Sequence, residues 1–319
     1  MDESRLSLIV TVSVLCAILV AFIVVITLYA LRYNNLFAAF RVVIDNDRFC
    51  QPQEGECRLS VDDTLVQPTT VTDTFDYDTA RYCADLIARI GLLYYDKNGV
   101  ETLEMPPGLT NVKTLHFKDK SIGFVAKSPL SDIVWVAFRG TATESEWRHD
   151  FNFSQVDVEL STSADEQMKF TVNDESLQCH EGFLEVFNDF KSELLTAVGT
   201  GGAVVVVTGH SLGAALATLA SLELSSHGHS VYTYVFGSPR VCEYIPTQNT
   251  MQGYWRVNNT TDIIPTIPLS VMPNMKQHDQ PYIYTHGGVS MNFTENRESL
   301  SNNHLMPAYI KALNDRTLT

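Results

Sequence analysis

The stretch Ala203-Val-Val-Val-Val-Thr-Gly-His-Ser-Leu-Gly213, running on into Ala214-Ala-Leu-Ala-Thr-Leu-Ala-Ser-Leu-Glu-Leu224, decides the fold. Its four consecutive valines read as a short buried strand, and the Ala- and Leu-rich run after Gly213 reads as a packed helix. Ser211 stands at the corner between them. Gly209-His-Ser-Leu-Gly213 fits G-x-S-x-G, a tight strand-to-helix turn that lifts a serine hydroxyl to the edge of a sheet. Glycine suits the positions two residues either side of the serine, where side chains would strike the neighbouring strand and the helix. The helix N-terminus also puts backbone N–H groups, that of Leu212 among them, where a tetrahedral oxyanion would form. A glycine-rich turn with a capping serine is the plainer reading of the five residues alone. The strand before and the helix after them favour the elbow.

Outward from the elbow, the chain has 319 residues, a formal charge of −15 and enough apolar content for a large core in one or two domains. The charge argues against nucleic acid as a partner and against electrostatic attachment to anionic lipid. Residues 6–31 carry no charge and are rich in Val, Ile and Leu. At about 1.5 Å per residue, a helix of that length exceeds the roughly 30 Å hydrocarbon core of a bilayer. The apolar part of a cleavable signal peptide spans only about 7–15 residues, so residues 1–33 are expected to be an uncleaved signal anchor with one transmembrane helix. Arg32, Arg41 and Arg48 follow that helix and Arg5 precedes it, which would keep the rest of the chain in the cytosol. Glycosylation sequons at Asn152, Asn258, Asn259 and Asn292, with Cys50 and Cys57 spaced for a small disulfide loop, point the other way. A lumenal or extracellular catalytic domain is the expectation. Residues 34–73, with Gln, Pro, Asp and Thr common after Cys50, read as a stem. Cys83, Cys179 and Cys242 are either buried thiols or hold one further pair, and no spacing suggests a zinc site.

The globular domain is expected over residues 74–319. Residues 80–90 have helical periodicity closed by Gly91, and residues 121–127 and 132–138 read as strands. After an acidic insert reaching Glu175, residues from Cys179 lead into a helix ending near Val198, and strands follow at 231–236 and 254–257. Strands alternating with helical crossovers predict an α/β domain whose largely parallel sheet is covered on both faces.

Phe138-Arg-Gly-Thr141, Glu146-Trp-Arg-His-Asp150, His180-Glu-Gly-Phe-Leu184, Gly209-His-Ser-Leu-Gly213, Gly237-Ser-Pro-Arg-Val241, Asn258-Asn-Thr-Thr-Asp-Ile-Ile-Pro265 and Asn303-His-Leu305 follow one another in a telling order. Together they resemble the successive motifs of the class 3 lipase family, the fungal-type triacylglycerol lipases. The resemblance covers roughly residue 74 to the C-terminus and leaves out the anchor and stem. It departs at Cys242, where the family commonly has glycine. It implies an α/β-hydrolase fold, with a mostly parallel central sheet and helices on both faces, preceded here by the one transmembrane helix. It also implies a serine hydrolase that cleaves acyl esters of tri- or diacylglycerols at a membrane or lipid-droplet surface, with no cofactor or metal. A phospholipase A1 or carboxylesterase is the nearest alternative. A lipase-like interaction module without catalysis is the alternative from another class, and a missing triad member would mark it.

A serine hydroxyl becomes a useful nucleophile when a histidine accepts its proton and a buried carboxylate orients that histidine. In an elbow fold the chain order is Ser, then Asp or Glu, then His. Among the acids after Ser211, Asp262 directly follows a strand at the carboxyl edge of the sheet, where such sites gather. A turn-forming aspartate is its plainer reading. His304, expected in a polar loop, Ser301-Asn-Asn-His304, competes with His286 for the role of base. His286 is expected on a strand as a hydrogen-bonded structural residue, and the resemblance points to His304. His210, His180 and His149 read as structural, as does Asp150. Thr141 would join Leu212 in the oxyanion hole, unless it merely caps. Trp147 falls where these lipases carry a lid, although an ordinary core tryptophan fits the residues almost as well.

Overall fold

The computed structural model describes residues 61–95, 105–106, 108–141, 153–160, 168–169, 171–172, 175–247, 251–274 and 280–319. The expected membrane helix, Cys50, Cys57, Trp147, His149, Asp150 and the Asn152 sequon lie outside these residues. Among the described residues, no helix is long and apolar enough to cross a membrane.

Seven strands form the central sheet in the order in which the chain makes them: β1 (Thr110–Phe117), β2 (Lys120–Lys127), β3 (Ile133–Phe138), β4 (Val204–His210), β5 (Ser230–Phe236), β6 (Gly253–Asn259) and β7 (Val289–Phe293). β1, β2 and β3 pair antiparallel, whereas every pairing from β3 to β7 is parallel. Among the described residues, five helices accompany the sheet: α1 (Tyr77–Tyr95), α2 (Glu181–Val198), α3 (Leu212–Ser226), α4 (Leu300–His304) and α5 (Met306–Asn314). The sheet is thus mostly parallel, as its apolar strands imply.

The valine run shows why the sheet needs cover on both sides. Successive side chains of a strand point to opposite faces. Val205 and Val207 accordingly join the core with Phe187 of α2 and Leu216 of α3, while Val206 joins that formed with Leu86 of α1 and Tyr309 of α5. α3 runs through the first of these cores with every residue from Leu212 to Leu224 buried. Glu223 is the one charge in that run, and its carboxylate lies 3.1 Å from Lys191 Nζ of α2. Truncating a leucine such as Leu216 to alanine would cost about 2–5 kcal/mol, since packed neighbours cannot collapse into the gap.

Several element limits depart from the sequence reading. α1 continues through Gly91 to Tyr95, because Gly91 is itself buried and packing overrides its weak helical preference. β1 has no apolar run and is absent from the sequence reading. As an edge strand it exposes Thr110, Val112 and Lys113 while burying Leu115 and Phe117. The acidic insert contains short antiparallel pairings such as Glu159–Leu160 with Met168–Lys169, and Gln155–Asp157 pairs with Gln178–His180 beyond it. From residue 61 on, the stretch expected as stem lies against α1. Asp85 Oδ1 accepts from the Asp62 N–H at 2.7 Å, and Arg89 binds Asp63 at 2.8 Å and Asp85 at 2.7 Å.

Cys179 and Cys242 are disulfide-bonded, and Cys83 is a buried free thiol. The bond accounts for the cysteine at position 242: it ties the strand leading into α2 to the segment after β5. At the far edge of the sheet, Thr319 exchanges both backbone hydrogen bonds with Asn292 of β7, each 2.9 Å long.

Candidate active site

The elbow is built by backbone crowding. Ser211 has φ 59° and ψ −126°, a region that costs a residue with a side chain of order 1–3 kcal/mol. Its neighbours leave no alternative. A Cβ on Gly209 would come within 2.0 Å of the Gly213 carbonyl oxygen, and one on Gly213 would sit 2.4 Å from the Arg139 carbonyl oxygen at the end of β3. The two glycines therefore permit, respectively, the tight return into α3 and its contact with the next strand, as the sequence reading requires. Gly140 closes in from β3: a Cβ there would be 3.3 Å from Ser211 Cβ. Thr141, the next residue, is thereby carried to the rim of the elbow. Leu212 is the first residue of α3, where the helix leaves its leading N–H groups without intrahelical partners.

Asp262 follows β6 by three residues, in a turn closed by its N–H donating to the Asn259 carbonyl at 3.0 Å. Its carboxylate is buried, and both oxygens are engaged. Oδ1 accepts from the Ile264 N–H at 2.9 Å. Oδ2 accepts from His304 Nδ1 at 2.6 Å and from the Tyr309 hydroxyl. A hydrogen bond from Nδ1 fixes the neutral tautomer of His304 with its lone pair on Nε2. That nitrogen is buried and, among the described residues, has no hydrogen-bond partner. Burial and the adjoining carboxylate push the Tyr309 phenol well up, so it stays a donor.

His304 ends α4, a short helix rather than the expected loop, because Ser299 Oγ caps it by accepting the Asn302 N–H at 3.0 Å. The elbow reaches the same place from the other side. His210 Nε2 donates to the His304 carbonyl at 2.7 Å, and the two rings are 4.4 Å apart. Burial above all, with the neighbouring His304 ring adding to it, holds His210 well below the ordinary imidazole range, so it stays neutral. The Ser211 N–H donates to Phe236 at 3.1 Å. The following residue, Gly237, has φ 54°, and a Cβ there would meet the Tyr309 hydroxyl at 2.8 Å, His304 Cε1 at 3.0 Å and Asp262 Oδ2 at 3.1 Å. Ser211, Asp262 and His304 thus converge on the carboxyl edge of β4, β5 and β6.

His286 stands apart. It lies three residues before β7 rather than on a strand, and its Nε2 donates to the Pro265 carbonyl at 2.7 Å. His180 caps α2, its Nδ1 accepting from the Phe183 N–H at 3.3 Å. Two residues at the site went unread in the sequence. Tyr309 looks like part of an apolar run, with no local sign of where its hydroxyl goes. Gly237 was visible only as the head of Gly-Ser-Pro, a turn signal.

The family described as Lipase (class 3) matches residues 135–272. Over those residues the chain is similar to the class 3 lipase family. The matched residues include most of β3, the elbow and Asp262, while His304 lies beyond them. The secreted mono- and diacylglycerol lipase 1 of Fusarium solani is 30% identical over 175 residues, which are 52% of this chain and 47% of that protein. Phospholipase A1-II 3 of Oryza sativa subsp. japonica is 30% identical over 179 residues, 46% of this chain and 40% of that protein. The chain thus spans about half the length, or less, of these curated relatives. The crystal structure of mono- and diacylglycerol lipase from Aspergillus oryzae has a TM-score of 0.51 at 21% identity, covering 77% of this chain and 86% of that one. That likeness shows the same fold over most of the described domain.

Proposed function

We propose that this chain is a membrane-anchored serine hydrolase that cleaves acyl esters of glycerolipids through an acyl-serine intermediate. The observation that carries the reading is the buried, unpartnered Nε2 of an Asp262-bound His304, next to a serine held at positive φ on an elbow. Nε2 takes the proton as Ser211 Oγ attacks the ester carbonyl. Asp262 stabilises the imidazolium, and the N–H groups of Leu212 and Thr141 hold the oxyanion. His304 then protonates the leaving alcohol, and water, activated by the same nitrogen, releases the fatty acid.

A diacylglycerol- or triacylglycerol-type substrate is favoured by the Fusarium relative. A phospholipase A1 activity is the second reading, favoured by the Oryza relative. The test is to incubate the purified full chain and its Ser211→Ala variant with tri-, di- and phospho-acylglycerols, and to label both with a fluorophosphonate. Labelling of the wild type alone, with acid release from one lipid class, is expected. A Ser211→Ala protein that labels and hydrolyses normally would remove the reading.

Residues 6–31 supply the anchor, and the chain's acidity leaves membrane residence to that segment. The Cys179–Cys242 disulfide suits an oxidising compartment, which supports a lumenal or extracellular domain. Trp147 is proposed as part of a lid that opens against lipid, since exposing apolar surface is less unfavourable there than in water. The rate should then jump above the substrate's critical micelle concentration, and Trp147→Ser should blunt that jump. A smooth saturation curve that Trp147→Ser leaves untouched would dismiss the lid.

A further inference from the structure

Two guanidinium groups, one of them against the turn that follows Asp262, have no carboxylate among the described residues to match them. Arg256, on β6, is 9% exposed, and its Nε donates to the Gly287 carbonyl at 2.8 Å. Arg240, three residues beyond Gly237, uses Nη1 to hold the carbonyls of Thr266 and Pro268, the latter at 2.7 Å. Among the described residues, Nε and Nη2 of Arg240 and both terminal nitrogens of Arg256 donate to nothing, and neither arginine forms an ion pair. Burial pulls both below the usual guanidinium range, and the charge of Arg240 adds to the effect on Arg256. His286 feels both charges: burial first, then Arg256 and Arg240, hold it down to about 4.

A partly buried charge met only by carbonyl dipoles is poorly compensated. The free edges of a guanidinium match two oxygens of a phosphate or carboxylate. The place matters as much as the charge. The turn from Asp262 to Pro268 is held at one end by His304 and Tyr309 and at the other by Arg240 and His286. Just past it, Val271 and Ile283 stand directly opposite each other in a two-stranded hairpin, and with Leu269 they are exposed. Cationic groups at the root of an exposed apolar hairpin fit a surface that is apolar inside and carries phosphate outside.

We propose that Arg240 and Arg256 form an anion site that takes a phosphate group, either the phosphodiester of a phospholipid whose ester lies at Ser211 or free inorganic phosphate. The phospholipid source rests on the hydrolase reading above; phosphate binding itself does not.

The full chain is titrated with inorganic phosphate against chloride at equal ionic strength, following the thermal midpoint and the imidazole resonances of His286. Phosphate should raise the midpoint, as any ligand of the folded state does, and should move the His286 titration to higher pH. Arg240→Gln should weaken phosphate binding about tenfold, the value of one charge-assisted hydrogen bond, with Arg240→Lys in between. No phosphate-specific change in the wild type overturns the site, and that result needs no variant to fold. In a second arm, the rate on phosphatidylcholine vesicles is divided by that on diacylglycerol. A tenfold fall of this ratio in Arg240→Gln assigns the phosphate to the lipid headgroup. An unchanged ratio with weakened phosphate binding overturns the headgroup and leaves free phosphate as the ligand. A chain that binds phosphate and hydrolyses neither lipid would sink the hydrolase reading and leave the anion site standing.

Discussion

The imidazole of His210 donates from Nε2 to the main-chain carbonyl of His304, 2.7 Å away, so the residue preceding the proposed nucleophile holds the backbone of the proposed base. Position in a catalytic pair is worth a great deal, because a shift of about 1 Å can cost roughly a hundredfold in rate. His210→Leu, which keeps bulk and removes the donor, is expected to lower kcat by about ten- to a hundredfold with little change in KM. His210→Gln, which can return an N–H to the carbonyl, should recover part of the loss. Equal kcat values for the two folded variants would show that the bond does not position His304.

Ser211 occupies a backbone conformation that glycine adopts freely. Ser211→Gly should therefore raise stability by about 1 kcal/mol in urea unfolding while abolishing fluorophosphonate labelling. Ser211→Ala, which keeps the Cβ, should lose labelling without that gain. A Ser211→Gly protein no more stable than Ser211→Ala would show that the elbow stores no strain.

His286 gives stability a pH dependence whose sign follows from its partners. Its folded value of about 4 lies below the ordinary 6.5, so between those limits the unfolded chain binds the extra proton. The contribution is fully present above about pH 6.5 and is lost as pH falls towards 4, on the order of 3 kcal/mol in all. His210 and His229, both depressed chiefly by burial, act in the same direction. Urea midpoints of His286→Gln at pH 7 and pH 4.5 should differ by less than those of the wild type. An unchanged difference would take His286 out of the acid sensitivity.

The Cys179–Cys242 bond closes a loop with a sequence separation of 63 residues. On the chain-entropy account, a loop of that size stabilises the folded state by about 4 kcal/mol. Reduction, or the double change Cys179→Ala with Cys242→Ala, should lower the denaturant midpoint accordingly. Cys83, buried with its thiol pushed far up, should resist alkylation until the chain unfolds. Rapid modification of Cys83 in the native protein would contradict its place beneath the sheet.

Much of this was legible because the decisive signals are local. Four valines, two glycines and a run of alanine and leucine specify strand, turn and helix within about twenty residues, and backbone crowding at Gly209 and Gly213 is the reason glycine stands there. The approach of Ser211 and Asp262 also follows from the sequence, since a parallel sheet delivers residues that follow its strands to one edge, whereas the short helix α4 that carries His304 there does not. What the sequence withholds is long-range. Tyr309 reaches Asp262 across 47 residues, and nothing in an apolar helix announces where one hydroxyl will point. The cysteines could be counted but not paired, because pairing depends on which segments the sheet brings together. β1 was missed since an edge strand needs no continuous apolar run.

The pairing of Thr319 with Asn292 bears on how the protein is handled at the bench. β7 is the last strand of the sheet, and Thr319 satisfies groups on its open side. An exposed ladder edge is a template for strands of other molecules. Removing Thr319, or displacing it with a fused tag, would uncover that edge and invite copies of the domain to stack on one another. Affinity handles and fluorophores therefore belong on another part of the surface.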